Sequence, residues 1–382
     1  MREVAIAGVS KVKFGRYDGR KGRPYKTVED LGEEAIVGAL KDADMEWKDI
    51  QAAFCGNVYA GMASGHRAIS RIGLTGIPIV NVEDACSSST AGLRLAYQEV
   101  AFELYDIILV LGLEKIPPGL LEDTSLPEWQ RYSGHNVFPA LYAIDIVRYM
   151  EDYGATEEDI ARTAVLERNN ANLCPKAMFF GQKVTLEEVL NSRYIATPLR
   201  FLMCCANADG AAAAILCSKD KLKSKEKTIT IAATTHATGT YGRSAFGGSA
   251  KIENLSCIEL SAKQAWEMSG YGPEDMDLFQ AYGAMSSGTI VSTEELGFCP
   301  KGEFPHLLKE GAFDIGGRMP LNTDGGLIGR GHPIGATGMG QIYEIVTQLR
   351  GEAGERQVLG AKIGFCHTMG AGPNSVVTIL KR

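Results

Sequence analysis

Residues 31–50 read LGEEAIVGALKDADMEWKDI, and residues 257–276 read CIELSAKQAWEMSGYGPEDM. The two stretches line up at a constant offset, and a second pair of helix-period segments, residues 91–104 and 339–349, extends the match. Self-similarity at a long fixed offset is typical of a duplicated unit, so we predict two similar halves. The alternative is that two unrelated strand–helix units simply look alike.

Short apolar runs alternate with longer amphipathic segments. Residues 4–9, 77–82 and 106–113 have the apolar, β-branched composition of strands, whereas residues 28–40 and 89–104 carry apolar side chains at helical spacing. The third of these strands is apolar on both faces, as expected inside a sheet that is covered on both sides. The alternation predicts an α/β fold.

A proline-containing segment interrupts the repeat. We predict an N-terminal half made of residues 1–114 and 200–226, a loop domain at residues 115–199 and a C-terminal half at residues 227–382. The lysine-rich run at residues 219–227 is a candidate linker between the two halves.

The composition excludes several classes of function. The 382 residues include 39 Lys plus Arg against 46 Asp plus Glu, a net charge of −7, which argues against duplex nucleic acid as a partner. Hydrophobic residues make up 45%, the usual share of a folded globular chain. No apolar run approaches the roughly 20 residues of a membrane span, and the first ten residues read as a strand rather than as a signal peptide.

The nine cysteines indicate free thiols. Their number is odd and none forms a CxxC pair, so neither a disulfide framework nor a zinc site is expected. Since free thiols fit a reducing compartment, we predict a cytoplasmic protein with no metal in this chain.

Cys86 lies in NVEDACSSSTAG, residues 81–92, between a predicted strand and a predicted helix. A thiol at a helix N-terminus is favoured as thiolate by free backbone N–H groups and by the positive end of the helix dipole. The same N–H groups can bind a developing oxyanion. Cys86 is therefore a candidate nucleophile, although a small buried cysteine near a helix cap is the ordinary alternative.

A glycine-rich stretch with one histidine, NTDGGLIGRGHPIGATGMG at residues 322–340, is the strongest local signal. Its glycines would let the backbone approach a ligand closely, but the spacing matches neither of two common phosphate-binding patterns. We predict His332, held by Pro333, as a general base or hydrogen-bond donor. Pseudo-twofold packing of the halves would bring it to Cys86.

Two further sequences are weaker candidates. In GFCHTMGAG, residues 364–372, Cys366 or His367 is placed for a second proton transfer, and only one need face the site because strand neighbours point in opposite directions. In YGRSAFGGS, residues 241–249, Arg243 and Ser249 are weak candidates for binding coenzyme A, and a plain loop is an equal alternative.

Together, Cys86, the GHPIGATG run at residues 331–338 and the segment at residues 366–372 resemble the thiolase superfamily over essentially the whole chain. Residues 209–213, DGAAA, are similar to another family motif, and residues 341–354 resemble the archaeal and bacterial branch related to the sterol-carrier-protein thiolases. The resemblance implies the thiolase fold, five-layered α/β/α/β/α with two similar halves and an inserted loop domain over the active site.

The same resemblance implies a reaction and roles for its residues. The chain would cleave a 3-oxoacyl-CoA with free coenzyme A, its second substrate, through an acyl-enzyme on Cys86, and His332 would activate the thiol and contribute to an oxyanion hole. Cys366 stands where most thiolases have an acid/base cysteine, and His367 where the sterol-carrier branch has a histidine. The backbone near Cys86 and Gly370 would form the second oxyanion hole.

Residues 278–284, LFQAYGA, depart from the family pattern of Asn or His followed by Phe three residues later. Gln280 takes the first position and can still hold a water, whereas Gly283 takes the second and would open space for a bulkier acyl group. Benzoylsuccinyl-CoA thiolases of anaerobic toluene breakdown belong to this branch, and the chain resembles their large subunit.

The resemblance also implies partners. A homodimeric core and a small zinc-containing OB-fold partner subunit are expected, with neither nucleic acid nor membrane bound. Three alternative functions stay open: an acetyl-CoA C-acetyltransferase that makes acetoacetyl-CoA, a ketoacyl or hydroxymethylglutaryl-CoA synthase, and a non-enzymatic scaffold or lipid carrier.

Overall fold

A computed structural model describes residues 1–119, 121–122, 128–223, 228–240 and 255–382. Within these ranges the strands are β1 (Val4–Lys11), β2 (Ala52–Gly56), β3 (Ile79–Val82), β4 (Ile107–Glu114), β5 (Tyr194–Ala196), β6 (Leu199–Arg200), β7 (Gly210–Ser218), β8 (Ile229–Thr238), β9 (Leu278–Gln280), β10 (Ile363–Gly370) and β11 (Asn374–Lys381). The predicted strands are present, with ends that differ by a few residues.

The helices of the described ranges also follow the predicted pattern. They are α1 (Val28–Ala43), α2 (Ser64–Ser70), α3 (Ser88–Ala101), α4 (Glu128–Gln130), α5 (Phe138–Tyr153), α6 (Glu157–Asn172), α7 (Leu186–Asn191), α8 (Cys257–Ser269), α9 (Ser286–Glu295), α10 (Phe304–Lys309), α11 (Gly326–Arg330) and α12 (Thr337–Arg350). Both α1 and α8 begin with a capping box, in which Thr27 and Ser256 accept from the backbone N–H of the third helical residue.

The two halves repeat the same strand arrangement. In the described part of the chain the main sheet has the order β3-β2-β4-β7-β1-β8-β11-β10-β9. β1 pairs antiparallel with β7, β7 with β4, and β4 parallel with β2. In the second half β8 pairs antiparallel with β11, β11 with β10, and β10 parallel with β9. The halves meet where β1 contacts β8 over only two residue pairs, so the prediction of two similar halves is confirmed.

Five layers follow from where the apolar side chains pack. Leu31 and Ile36 of α1 pack on the outer face of the first half, against Leu111 and its neighbours. α3 and α12 lie between the two halves of this sheet, where Leu93 and Ile342 share one core. On the far face, α8 packs with β10, β11 and the inserted helices. The order α/β/α/β/α is therefore as the resemblance implied.

The inserted segment supplies α4 to α7 and the β5–β6 pair. The helices of the inserted segment pack closely on the second half. The limits given above for the loop domain and for the two halves therefore stay a prediction. No helix among the described residues is long and apolar enough to cross a membrane.

The glycines of residues 322–340 serve close packing between helices. A Cβ on Gly329 would lie 2.5 Å from the carbonyl oxygen of Glu167 and 2.6 Å from the Ala171 Cβ, both on α6. A Cβ on Gly338, in α12, would lie 2.5 Å from the Thr90 Cγ2 of α3. We expected these glycines to let the backbone approach a ligand, whereas in the structure Gly329 and Gly338 let their own helices approach a neighbouring helix.

Candidate active site

Cys86 and His332 line the same cavity of about 770 Å³. Gly370 and Tyr282 lie in its wall, together with side chains of the inserted segment such as Phe138. Two candidates that are far apart in the sequence thus meet between the halves, as the duplicated arrangement predicted.

A tight turn presents Cys86 to this cavity. Ala85 has φ +47°, a left-handed conformation that an alanine rarely adopts, and α3 begins two residues after the thiol, at Ser88. Strain of this kind is typical of functional turns. Cys86 thus lies just before a helix N-terminus, as the sequence predicted.

The Cys86 thiol is protonated at rest. Burial raises its pKa to about 12, and hydrogen bonds from the Tyr282 hydroxyl and the Ala371 backbone N–H only partly oppose this. We expected the helix N-terminus to favour the thiolate, but loss of hydration outweighs that effect here. A base must therefore take the proton when the sulfur reacts.

His332 is the candidate for that base, because its ring is neutral. Burial, with the nearby Arg330 charge, lowers its pKa to about 3, so the ring is neutral. Thr337 donates its single hydroxyl proton to the Pro333 carbonyl at 3.0 Å, so the 2.6 Å contact from its oxygen to Nδ1 assigns the ring proton to Nδ1. Nε2 then carries the lone pair, on the side of the ring where the Tyr282 hydroxyl lies 3.4 Å away.

Tyr282 joins the two candidates. Its hydroxyl is hydrogen-bonded to the Cys86 thiol and lies 3.4 Å from His332 Nε2. The residue is 3% exposed, and its hydroxyl is also hydrogen-bonded to that of Tyr142. Sequence reasoning missed Tyr282, although it lies between the two positions that were singled out, Gln280 and Gly283.

The carboxylate of Glu114 holds the loop that carries His332. It accepts backbone N–H groups from Val58 at 3.1 Å, Tyr59 at 3.0 Å, Lys115 at 3.2 Å and Gly335 at 3.0 Å. This residue was also missed. The sequence signal that could have found it is a single carboxylate at the end of an apolar strand. A buried charge there needs hydrogen-bond donors around it.

Cys366 and Gln280 lie outside the cavity lining. The Cys366 thiol donates to the side-chain oxygen of Gln341, on α12, at 3.7 Å. Gln280 is fully buried and accepts from the Arg330 guanidinium at 3.4 Å. The proton-transfer role of Cys366 and the water-binding role of Gln280 therefore stay predictions without a contact to the site.

His367 lies on the other side of β10 from Cys366. Its Nδ1 accepts the Tyr282 backbone N–H at 3.3 Å, so its proton is on Nε2, which is buried and has no partner among the described residues. Burial lowers its pKa to about 3. His367 does not line the cavity, and its contact to the site runs through Tyr282.

The backbone at residues 370–372 lies next to the nucleophile. The Gly370 N–H donates to the Asn374 side-chain oxygen at 3.1 Å, whereas the Ala371 N–H is hydrogen-bonded to the Cys86 sulfur. The oxyanion-hole prediction for Gly370 stays untested, and Ala371 is the donor that reaches the reacting atom.

Gly283 opens no space in the cavity. A Cβ there would fall on the Thr289 hydroxyl, and the residue is absent from the cavity lining. Arg243 and Ser249 lie outside the described residues. Within the described ranges, no three His, Cys, Asp or Glu side chains are grouped to hold a metal ion.

Family comparison covers most of the chain. The thiolase N-terminal domain matches residues 4–220, and the thiolase C-terminal domain-like family matches residues 244–382.

Individual relatives agree with this. The chain is 39% identical to an acetyl-CoA acetyltransferase of Methanothermobacter thermautotrophicus, with 100% of each chain covered. It is 36% identical to sterol carrier protein 2 of Bos taurus, covering 99% of this chain and 72% of that one. It is 34% identical to benzoylsuccinyl-CoA thiolase subunit BbsB of Thauera aromatica, covering 97% and 95%.

A solved structure gives the same result in three dimensions. The Ltp2-ChsH2(DUF35) aldolase superposes with a TM-score of 0.85 at 26% identity, covering 99% of this chain and 97% of that one. With both thiolase domains matched and a full-length acetyltransferase relative at 39% identity, the chain belongs to the thiolase family, uses coenzyme A as a substrate and is an acyltransferase.

Proposed function

We propose that the protein cleaves a 3-oxoacyl-CoA with free coenzyme A through an acyl-enzyme on Cys86. The observation that carries this proposal is the common cavity, in which a neutral thiol and the unprotonated Nε2 of His332 are linked by the Tyr282 hydroxyl. A protonated nucleophile with a neutral base beside it is the arrangement that covalent acyl transfer needs.

In the first step the sulfur attacks the 3-keto carbon as His332 takes the thiol proton. Since the resting thiol has a high pKa, proton transfer accompanies attack rather than preceding it. The tetrahedral oxyanion then collapses, the bond between C2 and C3 breaks, and the electrons of this bond leave as the enolate of the shorter acyl-CoA. That enolate must gain a proton at carbon.

In the second step coenzyme A enters as a thiol. It loses its proton to a base, attacks the acyl group on Cys86, and the Cys86 sulfur leaves and regains a proton from His332. The N–H of Ala371 and the charged imidazole of His332 are the donors available to developing negative charge beside the sulfur.

The acyl group is proposed to be bulky or aromatic. The wall of the cavity includes Tyr59, Phe138, Tyr142 and Phe201, and its volume of about 770 Å³ is ample for a ring. Gly283 no longer supports this proposal. The BbsB relative makes a benzoylsuccinyl-type substrate of toluene breakdown one candidate, whereas the acetyltransferase relative supports acetoacetyl-CoA chemistry as the second.

A partner subunit is a further part of the proposal. One relative is named as a subunit, and the solved neighbour is a complex with a DUF35 protein. We propose a homodimeric core that binds a small OB-fold subunit in the cytoplasm. Co-purification from the native host that yields only homo-oligomers would count against the second subunit.

The experiment is intact-protein mass spectrometry. Purified protein is incubated with acetyl-, acetoacetyl-, benzoyl- and longer acyl-CoAs, and any adduct is mapped by peptide fragmentation. We expect one acyl group on Cys86, no adduct in Cys86→Ala, and a strongly reduced loading rate in His332→Ala. The acyl-CoA that loads fastest identifies the substrate class.

The outcome that contradicts the proposal is equally clear. Absence of an adduct with every acyl-CoA, while the 3-oxoacyl-CoA is still consumed, would point to aldolase-type cleavage without an acyl-enzyme. Absence of both adduct and turnover, with and without the partner, would favour the scaffold or lipid-carrier alternative. Consumption of malonyl thioester or condensation with acetyl-CoA would indicate a synthase.

A further inference from the structure

The proposed reaction needs a second group that handles a proton, and the sequence offered Cys366 or His367 for it. Neither side chain lines the cavity. We propose that the Tyr282 phenol is this group: it gives its proton to the carbon of the departing enolate and recovers one from the incoming coenzyme A thiol. This inference rests on the proposed function and adds the identity of its second acid and base.

Geometry places the phenol at the reacting centre. Its hydroxyl is hydrogen-bonded to the Cys86 sulfur, is 3.4 Å from His332 Nε2, and lies in the cavity wall. The enolate carbon forms one bond away from the carbon that Cys86 attacks, so a hydroxyl in contact with the sulfur is within reach of both. Among the described residues, the groups hydrogen-bonded to this sulfur are the Tyr282 hydroxyl and the Ala371 backbone N–H.

The surrounding backbone fixes the position of Tyr282. The side-chain amide of Asn322 accepts the Ala281 N–H at 3.0 Å and donates to the Ala281 carbonyl at 3.2 Å. His367 Nδ1 accepts the N–H of Tyr282 itself at 3.3 Å. Since the peptide bond that precedes the Tyr282 Cα is held at its carbonyl and at its N–H, the buried ring has little freedom to turn away. Asn322 and His367 are therefore positioning residues.

The proton balance closes over one turnover. As the C2–C3 bond breaks, Tyr282 O–H transfers its proton to C2 and becomes a phenolate. Coenzyme A then enters as a thiol, the phenolate takes that proton, and the thiolate attacks the acyl carbon on Cys86. His332, which took the Cys86 proton in the first step, returns it as Cys86 leaves. No oxidant, reductant or additional reactant is required.

A phenol in this position carries its proton at the start of cleavage. Burial raises the pKa of Tyr282 well above its ordinary value of 10, with the nearby Cys86 and Tyr142 adding to the effect. The group is therefore protonated when cleavage needs an acid. In the reverse direction the phenolate removes a proton from the acyl-CoA carbon, and the fraction of this form rises with pH.

The test separates proton transfer at carbon from all chemistry at Cys86. In Cys86→Ala protein, acetyl-CoA or succinyl-CoA is incubated in D₂O, and deuterium entry at the carbon next to the thioester is followed by mass spectrometry. This exchange needs a base but no nucleophile. We expect exchange in Cys86→Ala that becomes faster as pH rises from 7 to 9.

The decisive variant is Cys86→Ala with Tyr282→Phe, which removes one oxygen and keeps the ring. Exchange should fall about 100-fold or more, the range for loss of a general base. A merely structural role of Tyr282, acting through the Cys86 thiol, would leave exchange unchanged because that thiol is already absent. The matched control is Cys86→Ala with Tyr132→Phe, at a side chain that is 83% exposed and outside the cavity.

Two results would overturn the assignment. One is exchange that persists in the Tyr282→Phe double variant, and loss of exchange in Cys86→Ala with Cys366→Ser would then identify the thiol instead. The other is no exchange in Cys86→Ala with either probe. Absence of an acyl adduct on wild-type Cys86 would instead refute the acyl-enzyme, so the two proposals fail on different measurements.

Discussion

Replacing Glu114 with Gln should change how the stability of the protein depends on pH. This carboxylate ends β4, is completely buried, and accepts four backbone N–H groups, one of them from the His332 loop. Glu114→Gln keeps the size of the side chain but removes the titration and turns one acceptor into a donor.

The magnitude follows from the pKa of the buried group. Burial raises the pKa of Glu114 from 4.5 to about 7, although the four N–H groups oppose the rise. Because the folded-state pKa lies above the unfolded one, the group stabilises the fold fully below pH 4.5, and this contribution is lost as pH rises to 7. At about 1.4 kcal/mol for each unit of pKa, the difference between the folded-state and unfolded-state pKa corresponds to about 3 kcal/mol of stability.

The assay is urea unfolding of wild type and Glu114→Gln, followed by circular dichroism at several pH values between 4.5 and 8. We expect the free energy of unfolding of wild type, relative to the variant, to fall by about 3 kcal/mol from pH 4.5 to 7 and then level off. Other carboxyl groups titrate in both proteins and cancel. Glu267→Gln, at an exposed position of α8, is the control and should run parallel to wild type.

The reasoning is refuted if wild type and Glu114→Gln keep a constant difference over the whole range. That result would mean that Glu114 is ionised in the folded protein throughout, so the four N–H groups would outweigh burial. A difference that grows with pH would reverse the sign of the argument and would have the same consequence.

Two further predictions concern the loop that carries the histidine. Thr337→Val removes the acceptor of the His332 Nδ1 proton and should lower kcat/KM for thiolysis about 10- to 100-fold. Thr337→Ser keeps the hydroxyl and should retain most of the wild-type kcat/KM. Steady-state thiolysis rates test this, and equal losses in both variants would contradict the role of the hydroxyl. Gly329→Ala places a methyl group 2.5 Å from the backbone of α6 and should lower the free energy of unfolding by about 1–3 kcal/mol. The control is Gly15→Ala, whose methyl group meets no atom within 4 Å and should change this free energy by under about 0.5 kcal/mol. Similar values for the two variants would show that the contact with α6 carries no strain.

Strand alternation explains why the sequence left the second half of the site open between two side chains. Cys366 and His367 are neighbours on β10, and a sequence cannot say which face of a strand meets a cavity until its partners are known. The structure turns Cys366 toward α12 and His367 toward the backbone of Tyr282.

The end of β9 explains why Tyr282 was missed. The strand ends at Gln280, and the next residues turn toward α9, so the period-two pattern no longer tells which side chain points where. Asn322, some forty residues further along the chain, holds the backbone of Ala281 in that turn. A contact between residues so far apart in the sequence leaves no trace in the local sequence pattern.

The amino-acid sequence by itself determined the α/β alternation, the repeated halves and the family, and it indicated Cys86 and His332 as a candidate pair. These features rest on periodicity, on internal repetition and on motifs, all of which are local in the chain. Only the tertiary structure decided that burial raises the pKa of the thiol, that Gly329 packs on α6, and that Tyr282 stands beside the sulfur. The reason is physical: burial sets a pKa, and burial and side-chain direction depend on groups that lie far away in the sequence.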